Sequence, residues 1–322
     1  MIVVTGGAGF IGSAFVWKLN ELGRRDILVV DNLGHAEKWK NLVNRRLADY
    51  LHKDTFMDLV LSHELPWDVE AVVHMGACSS TTETDAEYLM ENNYRYTRML
   101  CQWCLEHGVR FINASSAATY GDGSQGFDDA CDIASLRPLN MYGYTKQLFD
   151  LWARDEGILD QIVCLKFFNV YGPNEYHKDD MRSVICKAYT QVLETGRIRL
   201  FKSDRPDYPH GGQQRDFVYI KDCVDVMHWL LDNPKINGIF NLGTGQARTW
   251  NDLANAVFAA MGREPNIEYI DMPEQLAGKY QYFTQAHMDR LRAAGYITPP
   301  TSLEFGTLDY IQNYLATADP YL

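Results

Sequence analysis

The chain has 322 residues, of which 46% are hydrophobic, so it is long enough for one large domain or two small ones around a sizeable core. Its formal net charge of −12 argues against a polyanion such as nucleic acid as the main partner, because such a partner requires a basic face. No apolar run is long enough to span a membrane and the first predicted strand begins at residue 2, so we expect a cytoplasmic protein with neither signal peptide nor membrane partner.

Short β-branched runs alternate with helical patterns through the first half of the chain. This alternation is typical of a parallel sheet with helices on both faces. The predicted strands cover residues 2–4, 27–30, 71–74, 111–113 and 162–167. We therefore predict an α/β fold with a doubly wound parallel sheet of the Rossmann type.

A glycine-rich segment, TGGAGFIG, joins the first strand to the first helix. It places Gly6, Gly9 and Gly12 directly after the strand, and Gly23 ends the helix that follows. Glycines at this spacing permit a tight turn and the close approach of the backbone to a pyrophosphate, whose charge lies against the helix N-terminal amides. We interpret the segment as a dinucleotide-binding loop.

The second predicted strand is followed by an acidic residue, Asp31. Its carboxylate would accept hydrogen bonds from an adenosine ribose 2′-hydroxyl, which favours NAD over NADP. Lys38 lies in the loop beyond it and could instead pair with a 2′-phosphate, with assistance from Lys53. Local chemistry therefore leaves the choice between NAD and NADP open.

The third predicted strand leads into the segment HMGACSS and then into a helix. The small residues after the strand would let the backbone pass close to the nicotinamide half of the cofactor, and Asn92 could anchor the helix. Cys101 and Cys104 lie inside that helix rather than at its start, and no second ligand pair accompanies them. Since the seven cysteines form an odd, scattered set, we expect reduced thiols and no metal site.

Tyr142 and Lys146 stand four residues apart in NMYGYTKQLFD, a segment of helical character, so both side chains project from one face. A phenol with the ordinary pKa of about 10 is a poor base at neutral pH unless a nearby ammonium group, here that of Lys146, stabilises the phenolate. Ser116, in SSAATYG after the fourth strand, could hydrogen-bond the reacting oxygen of a substrate. This set predicts an enzyme that uses its bound dinucleotide in a reaction.

The rhythm of strands and helices becomes irregular after residue 168. Prolines and glycines mark long loops around a helix predicted for residues 181–195, and we expect the substrate to bind here. A strand and a helix return in residues 217–231, and a further strand at 239–242, so the chain is predicted to re-enter the sheet. The predicted domains are a dinucleotide-binding domain of residues 1–168 and 217–245 and a smaller, discontinuous substrate domain of residues 169–216 and 246–322.

Six motifs spread over nearly the whole chain resemble those of extended short-chain dehydrogenase/reductases. They are TGGAGFIG, SSAATYG, Tyr142-x-x-x-Lys146, FFNVYGP, RDFVYIKD and FNLGTG. Three longer segments, GACSSTTE, FNVYGPNEYHKDDMRS and GKYQYFTQAHMDRLRAAGY, resemble the ADP-L-glycero-D-manno-heptose 6-epimerase family. The resemblance implies a tightly bound and recycled NADP, an ADP-heptose substrate of lipopolysaccharide core biosynthesis, and a homo-oligomer, which is a pentamer in that family.

The same resemblance implies roles for individual residues. Lys178 matches the family's second catalytic lysine, which serves the substrate orientation that Tyr142 does not, and Arg215 could bind the substrate diphosphate as a guanidinium fork. The implied cofactor-binding residues are Gly6, Gly9, Phe10, Ile11, Gly12, Asp31, Asn32, Lys38, Lys53, Met75, Gly76, Ala77, Cys78, Ser79, Asn92, Lys146, Val170 and Lys178. The implied substrate-binding residues are Ser116, Asn169, Asp180, Lys187, Phe201, Lys202, Ser203, Asp204, Arg215 and Tyr280.

Other functions share the dinucleotide loop. A hexose 4-epimerase would use the same fold and is the nearest alternative. A 4,6-dehydratase needs an acid and a base beside the catalytic serine, where this chain has Ala117 and Ala118. A non-enzymatic dinucleotide sensor should lack the Tyr142 and Lys146 pair, which this chain retains.

Overall fold

The apolar runs of the first half of the chain form a seven-stranded sheet in the computed structural model, which describes residues 1–273 and 281–322. The strands are β1 (Ile2–Thr5), β2 (Ile27–Asp31), β3 (Asp49–His52), β4 (Ala71–His74), β5 (Arg110–Ser116), β6 (Val163–Phe167), β7 (Asn169–Tyr171), β8 (Ile198–Phe201), β9 (Gln214–Tyr219), β10 (Gly238–Leu242), β11 (Ala247–Thr249) and β12 (Ile267–Ile270). The seven-stranded sheet has the order β3-β2-β1-β4-β5-β6-β10, and all its pairings are parallel. The predicted Rossmann-type fold is confirmed.

Helices follow most of these strands. The α-helices are α1 (Phe10–Glu21), α2 (Lys53–Leu61), α3 (Ala86–Leu89), α4 (Tyr96–Glu106), α5 (Met141–Asp155), α6 (Val184–Thr195), α7 (Ile220–Asp232), α8 (Trp250–Ala260), α9 (Asp289–Ala293) and α10 (Leu303–Tyr310). Shorter 3-10 and π-helical turns cover Glu37–Leu42, Met90–Arg95, Ala117–Tyr120, Ile133–Ser135, Tyr176–Met181 and Ile311–Leu315. Over the described ranges, none of these helices has the length and apolar character that a membrane crossing requires.

The central sheet separates two hydrophobic cores. Successive residues of a strand point to opposite faces, so Ile2 and Val4 of β1 pack into one core whereas Val3 packs into the other. The first core contains buried side chains of α1 and α7, and the second contains those of α2, α4 and α5. Both faces of the sheet are therefore covered, as a parallel sheet requires.

The remaining strands form two small sheets beside the central one. β9 pairs with β7 in parallel and with β11 antiparallel, while β8 pairs with β12 in parallel. The core on the α1 side continues into this region without a break, since it includes Ile198 of β8, Leu253 of α8 and Leu303 of α10.

Two element predictions were wrong. The strand predicted at residue 217 is β9, which lies in the small three-stranded sheet, and only β10 returns to the central sheet. The helix predicted to begin at residue 181 begins at Val184, because the Ser183 hydroxyl accepts a hydrogen bond from the amide of Cys186 (3.2 Å) and caps it there. In addition, β3 was not predicted.

The cysteines match their predicted state. All seven are free, and Cys101 and Cys104 lie buried inside α4. Burial raises the pKa of the Cys101 thiol to about 12, so this group remains protonated and unreactive at neutral pH.

Candidate active site

A cavity of about 560 Å³ opens where the strands of the central sheet end. Thr5, Asp31, His74, Ser115 and Phe167 line it, and each stands at or next to the carboxyl end of a different strand. Ligands of open parallel sheets bind at this edge, where the strand order reverses on either side of β1.

The glycine loop forms the floor of the cavity. Gly6 has a φ of +62°, and a Cβ atom there would lie 2.7 Å from the backbone nitrogen of Gly76. A Cβ atom on Gly12 would lie 2.2 Å from the carbonyl oxygen of Gly6. Helix α1 begins directly after Gly9, which has no side chain to cap it, so the first amides of the helix remain open to an anion.

Asp31 and Lys38 form an ion pair at the end of β2. One carboxylate oxygen of Asp31 accepts from the Ala8 amide (2.8 Å), and the other accepts from the Asn32 amide (2.7 Å) and the Lys38 ammonium group (2.7 Å). Asp31 is 7% and Lys38 20% exposed at the side chain. Asp31, predicted to bind a ribose 2′-hydroxyl, and Lys38, predicted to bind a 2′-phosphate, thus lie in direct contact. Lys53, which pairs with Asp54 (2.9 Å), lines the same cavity.

A buried asparagine holds the backbone of the segment after β4 (residues 75–80, the cofactor segment) at Cys78. Asn93, in the π-helical turn before α4, accepts from the Cys78 amide (2.8 Å) and donates to the Cys78 carbonyl (2.9 Å) and to the Thr145 hydroxyl of α5 (3.4 Å). The neighbouring Asn92 lines the cavity and donates to Asn93 (3.0 Å). Asn93 therefore couples the cofactor segment to the helix that carries Tyr142.

Tyr142 and Lys146 line the cavity from α5. Asn140 caps this helix by accepting from the Gly143 amide (2.8 Å), which places Tyr142 in its first turn and Lys146 one turn later. Burial raises the pKa of Tyr142, and a hydrogen bond with Ser116 acts in the opposite direction. The phenol thus keeps its proton at neutral pH.

Lys146 stands near a buried ion pair. Burial lowers its pKa to about 8, against the charge of Asp150, which raises it. Asp150 accepts from Lys166 (2.8 Å) and from the hydroxyl of Ser115 (2.8 Å), and both members of the ion pair are almost fully buried. Lys146 is therefore still largely cationic at neutral pH, and β5, β6 and α5 are fastened together beneath it.

Lys178 reaches the cavity from the opposite side, on the 3-10 turn Tyr176–Met181. Its ammonium nitrogen lies 5.8 Å from the centre of the Phe10 ring. Burial lowers the pKa of Lys178, and the charge of Glu175 raises it. The adjacent His177 also lines the cavity, and burial lowers its pKa to about 4, so this imidazole is neutral at physiological pH.

The cavity gathers nearly all the residues predicted to bind the cofactor. The exception is Val170, which lies on β7 and packs against the hydrophobic core. Of the predicted catalytic residues, Tyr142, Lys146 and Lys178 line the cavity. Ser116 does not line it but is a hydrogen-bond partner of Tyr142.

Of the residues predicted to bind the substrate, those that the structure describes lie outside this cavity. Lys187 donates to the backbone carbonyl of Asp180 (3.1 Å), which belongs to the same turn as Lys178. Asn169 is exposed on β7. Arg215 is buried on β9 beside Trp250, with its guanidinium carbon 5.8 Å from the ring centre. Phe201 ends β8, and the residues that follow it are Lys202, which pairs with Asp271 (2.9 Å), Ser203, and Asp204, which accepts from the Tyr282 hydroxyl. Tyr280 lies outside the described residues.

Comparison with protein families decides the ancestry of this site. A model of the NAD dependent epimerase/dehydratase family matches residues 2–243, which contain the glycine loop, Tyr142, Lys146 and Lys178. The chain belongs to the NAD dependent epimerase/dehydratase family.

Within the NAD dependent epimerase/dehydratase family, full-length relatives share high identity with the chain. The ADP-L-glycero-D-manno-heptose-6-epimerase of Nitratidesulfovibrio vulgaris (strain DP4) is 70% identical over 100% of both chains. The enzyme of the same name from Fusobacterium nucleatum is 49% identical, again over 100% of both. The resemblance seen in the motifs is therefore confirmed.

Solved structures of the same family agree in fold. The Helicobacter pylori ADP-L-glycero-D-manno-heptose-6-epimerase superposes with a TM-score of 0.79 at 27% identity, covering 97% of this chain and 95% of its own. A UDP-N-acetylglucosamine 4-epimerase from Methanobrevibacter ruminantium superposes with a TM-score of 0.81 at 23% identity, covering 98% of each chain. At that identity, the second comparison speaks only for the shared fold.

The cavity fits the cofactor class of the NAD dependent epimerase/dehydratase family. The backbone cradle at Gly6 and Gly12, the uncapped start of α1 and the acid at the end of β2 are the features that a nicotinamide dinucleotide requires. The cofactor is therefore a nicotinamide dinucleotide.

Several residues around the site were not predicted from the sequence. Asn93, Asp150, Lys166 and Glu175 are polar, buried and hydrogen-bonded to elements that carry site residues. Asn93 directly follows the predicted Asn92, and a polar residue in the apolar pattern of a helix was the available signal. The other three belong to predicted strands, helices and loops whose burial depends on the tertiary fold.

Proposed function

We propose that the protein epimerises ADP-D-glycero-D-manno-heptose to ADP-L-glycero-D-manno-heptose at C6, a step of lipopolysaccharide core biosynthesis. The observation that carries this proposal is that Tyr142 and Lys178, two groups able to transfer a proton, enter one dinucleotide cavity from different elements. The names of the relatives at 70% and 49% identity support the choice of substrate.

The reaction requires two groups because the sugar must react from both faces. When bound, a nicotinamide dinucleotide would supply reversible hydride transfer, so that the carbon could be oxidised from one face and the resulting ketone reduced from the other. Each oxidation also releases the proton of the hydroxyl group, and each reduction returns one. Since the ketone rotates within the site between the two steps, its oxygen points to Tyr142 in one orientation and to Lys178 in the other.

Burial shifts the pKa values of the two groups in opposite directions. Burial raises the pKa of the Tyr142 phenol, so it holds its proton and acts as the acid. Burial lowers the pKa of the Lys178 ammonium group and the charge of Glu175 opposes this shift, so this amine gives up its proton more readily than a solvent-exposed lysine does. In the proposed cycle, one epimer loses its hydroxyl proton to Lys178 and the rotated ketone receives a proton from Tyr142. Lys178 then releases its proton to solvent and the Tyr142 phenolate takes one up before the next turnover; the reverse reaction exchanges these roles.

Ser116 and Lys146 assist Tyr142. The Ser116 hydroxyl bonds to the phenol and can also donate to the substrate oxygen that Tyr142 serves. Lys146, with its pKa of about 8, carries a positive charge at neutral pH and is placed to bind the nicotinamide ribose and to stabilise the phenolate formed during turnover.

The smaller group of elements, in residues 169–216 and 246–322, holds the nucleotide sugar in this proposal. Arg215 binds the diphosphate as a guanidinium fork, and a buried position strengthens such a contact because it excludes water. Asn169, Asp180, Lys187, Tyr280 and the stretch 201–204 supply the remaining contacts. Family resemblance further supports a homo-oligomer, a pentamer, which sedimentation equilibrium measures directly.

The proposed form of the cofactor is NADP, tightly bound and recycled. Lys38 supports this choice because its ammonium group lies at the ribose end of the cavity and can turn from Asp31 to a 2′-phosphate. Because epimerisation involves no net oxidation or reduction, a retained cofactor would be recycled, and we expect the protein as purified to need no added dinucleotide.

The proposal is tested by NMR on purified protein. ADP-D-glycero-D-manno-heptose is added without cofactor, and conversion at C6 toward the L-glycero epimer is the expected result. The double variant Tyr142→Phe with Lys178→Met should lose at least about a thousandfold in kcat. Tyr144→Phe, an exposed tyrosine on the same helix, is the matched control and should retain wild-type turnover.

A different result would redirect the assignment. If the heptose is not converted while a UDP-hexose is epimerised at C4, the protein is a hexose 4-epimerase. Full activity of the double variant would show that neither Tyr142 nor Lys178 transfers the proton.

A further inference from the structure

A buried carboxylate closes the loop that carries Lys178. Glu175 is 1% exposed. Its side chain accepts from the hydroxyl of Ser183 (2.7 Å), from the amide of Ser183 and from the amide of Gly172 (3.4 Å). Gly172 precedes the 3-10 turn and Ser183 follows it, so one carboxylate joins the two ends of the loop.

The loop between Gly172 and Ser183 contains a strained residue, and hydrogen bonds at its ends stabilise this conformation. Asp179, next to Lys178, has a φ of +45° and a ψ of −120°, a strained conformation for a residue with a Cβ atom. The amide of Lys178 donates to the backbone carbonyl of Glu175 (3.0 Å), so Glu175 holds the lysine through its main chain as well. Without these bonds, the strain at Asp179 would favour a different course of the loop.

Glu175 is also the charged neighbour to which the pKa of Lys178 responds. Burial lowers this pKa and the charge of Glu175 raises it. Burial raises the pKa of Glu175 itself, and the two hydrogen bonds from Ser183 oppose this by favouring the ionised carboxylate. The other charged or titratable groups that share the cavity with Lys178 include Asp31 and Lys38 after β2, Tyr142 and Lys146 on α5, and His177 and Asp179 on the turn itself.

We propose that Glu175 is the positioning residue of Lys178. Glu175 closes the loop from Gly172 to Ser183 and thereby holds the lysine over Phe10 at the cavity. The consequence is a division of labour in which Lys178 transfers the proton and Glu175 limits how far burial depresses the basicity of the amine. This inference rests on the proposed role of Lys178, but its test reads the lysine directly, so that the two can fail separately.

The first measurement is competitive acetylation of Lys178 across pH, followed by mass spectrometry of the peptide that contains it. In Glu175→Gln, which keeps the shape but removes the charge, the midpoint of Lys178 reactivity should fall by about 1 pH unit. Lys40, a partly exposed lysine on the turn Glu37–Leu42 that pairs with Glu37, is the internal reference in the same digest, and the midpoint of its reactivity should not change. The limb of the kcat profile that depends on Lys178 should shift by the same amount toward acid.

A second variant separates loop closure from charge. Ser183→Ala keeps the carboxylate but removes one of its donors, so kcat should fall at least about tenfold with little change in KM. Ser302→Ala is the matched control, since Ser302 caps α10 through the amide of Phe305 (3.1 Å) but lies far along the chain from the loop. It should turn over like the wild type.

Each outcome decides one point. An unchanged Lys178 midpoint in Glu175→Gln overturns the electrostatic part, and an unchanged kcat in Ser183→Ala overturns loop closure even if the Glu175 variant does not fold. A shifted midpoint in a protein that does not epimerise the heptose would support the inference and refute the proposed function.

Discussion

The ion pair of Lys38 and Asp31 contains one group suited to NAD and one suited to NADP. The carboxylate accepts from Lys38 at 2.7 Å, so the same two side chains can present either an acceptor to a ribose hydroxyl or a cation to a phosphate. The balance between them is a property of single residues and can be measured by changing one.

Lys38→Ala should weaken NADP binding at least about tenfold and NAD binding much less, because a hydrogen bond to a charged group contributes about 1.5 to 3 kcal/mol. Calorimetric titration of protein stripped of dinucleotide measures both dissociation constants. Lys40→Ala is the control, since Lys40 pairs with Glu37 (2.8 Å). Equal losses for NAD and NADP would show that Lys38 does not read the phosphate.

His74 makes the fold sensitive to acid. It is buried between the hydroxyls of Thr5 (2.6 Å) and Thr97 (2.9 Å), and burial lowers its pKa to about 3. The unfolded chain protonates this imidazole at a pKa of about 6.5, so below that pH the unfolded state binds more protons. The free energy of unfolding should therefore fall by about 1.4 kcal/mol for each pH unit between 6.5 and 3.

Urea unfolding at pH 7.5 and 5.5 measures this contribution. His74→Gln should reduce the loss of stability between the two pH values, whereas the partly exposed His228→Gln should keep the wild-type difference. If His74→Gln loses as much stability on acidification as the wild type, the buried imidazole is not the source.

Among the elements, the π-helical turn Met90–Arg95 links the cofactor segment to α5 through Asn93. Such turns are frequent at functional sites. Asn93→Ala should lower the free energy of unfolding by about 1 to 3 kcal/mol because it leaves buried polar groups unpaired. It should also weaken dinucleotide binding, because the backbone at Cys78 is no longer held.

Fluorescence titration with the dinucleotide and thermal unfolding measure the two effects together. Asn266→Ala is the control, because Asn266 makes one exposed hydrogen bond to the carbonyl of Gly196 (3.1 Å). Wild-type dinucleotide affinity in the Asn93 variant would separate the turn from the site.

Local pattern was sufficient for the elements that are buried on both faces. The strands β1, β2 and β4 are continuous apolar runs, and the four-residue spacing of Tyr142 and Lys146 needs only one helix. The short edge strand β3 was missed because its sequence, DYLH, is largely polar and partly exposed. It forms because β2 offers a free edge beside it.

Long-range contacts explain what local pattern could not show. The start of α6 moved by three residues because Ser183 is held by Glu175 across the loop. The partnership of Asp150 with Lys166 joins a helix to a strand sixteen residues away in the chain. Val170, which the resemblance implies as a cofactor-binding residue, lies on β7 outside the cavity, where it is partly buried and packs against the core.

At the scale of the whole molecule, one hydrophobic core runs from the central sheet into the smaller sheets. Leu19 of α1 and Leu253 of α8 belong to it, and each is 1% exposed. A core shared in this way couples the two parts energetically, so we expect a single cooperative unfolding transition. Calorimetry and circular dichroism should give the same midpoint at fixed dinucleotide content, since bound cofactor stabilises the folded state.

Leu19→Ala and Leu253→Ala provide the sharper version of this measurement. Each should lower the free energy of unfolding by about 2 to 5 kcal/mol and move the same single transition. If the change in α8 moves one transition and leaves another in place, the two parts unfold independently.

The double duty of Asp31 has a practical consequence for redesign of the cofactor site. Its second carboxylate oxygen accepts from the amide of Ala8 within the glycine loop (2.8 Å). Replacing Asp31 to admit a ribose with a 2′-phosphate would therefore also remove the hydrogen bond that holds the glycine loop. Position 38 can be varied without loss of that bond. Libraries aimed at switching dinucleotide preference should thus randomise the lysine first and leave the aspartate unchanged.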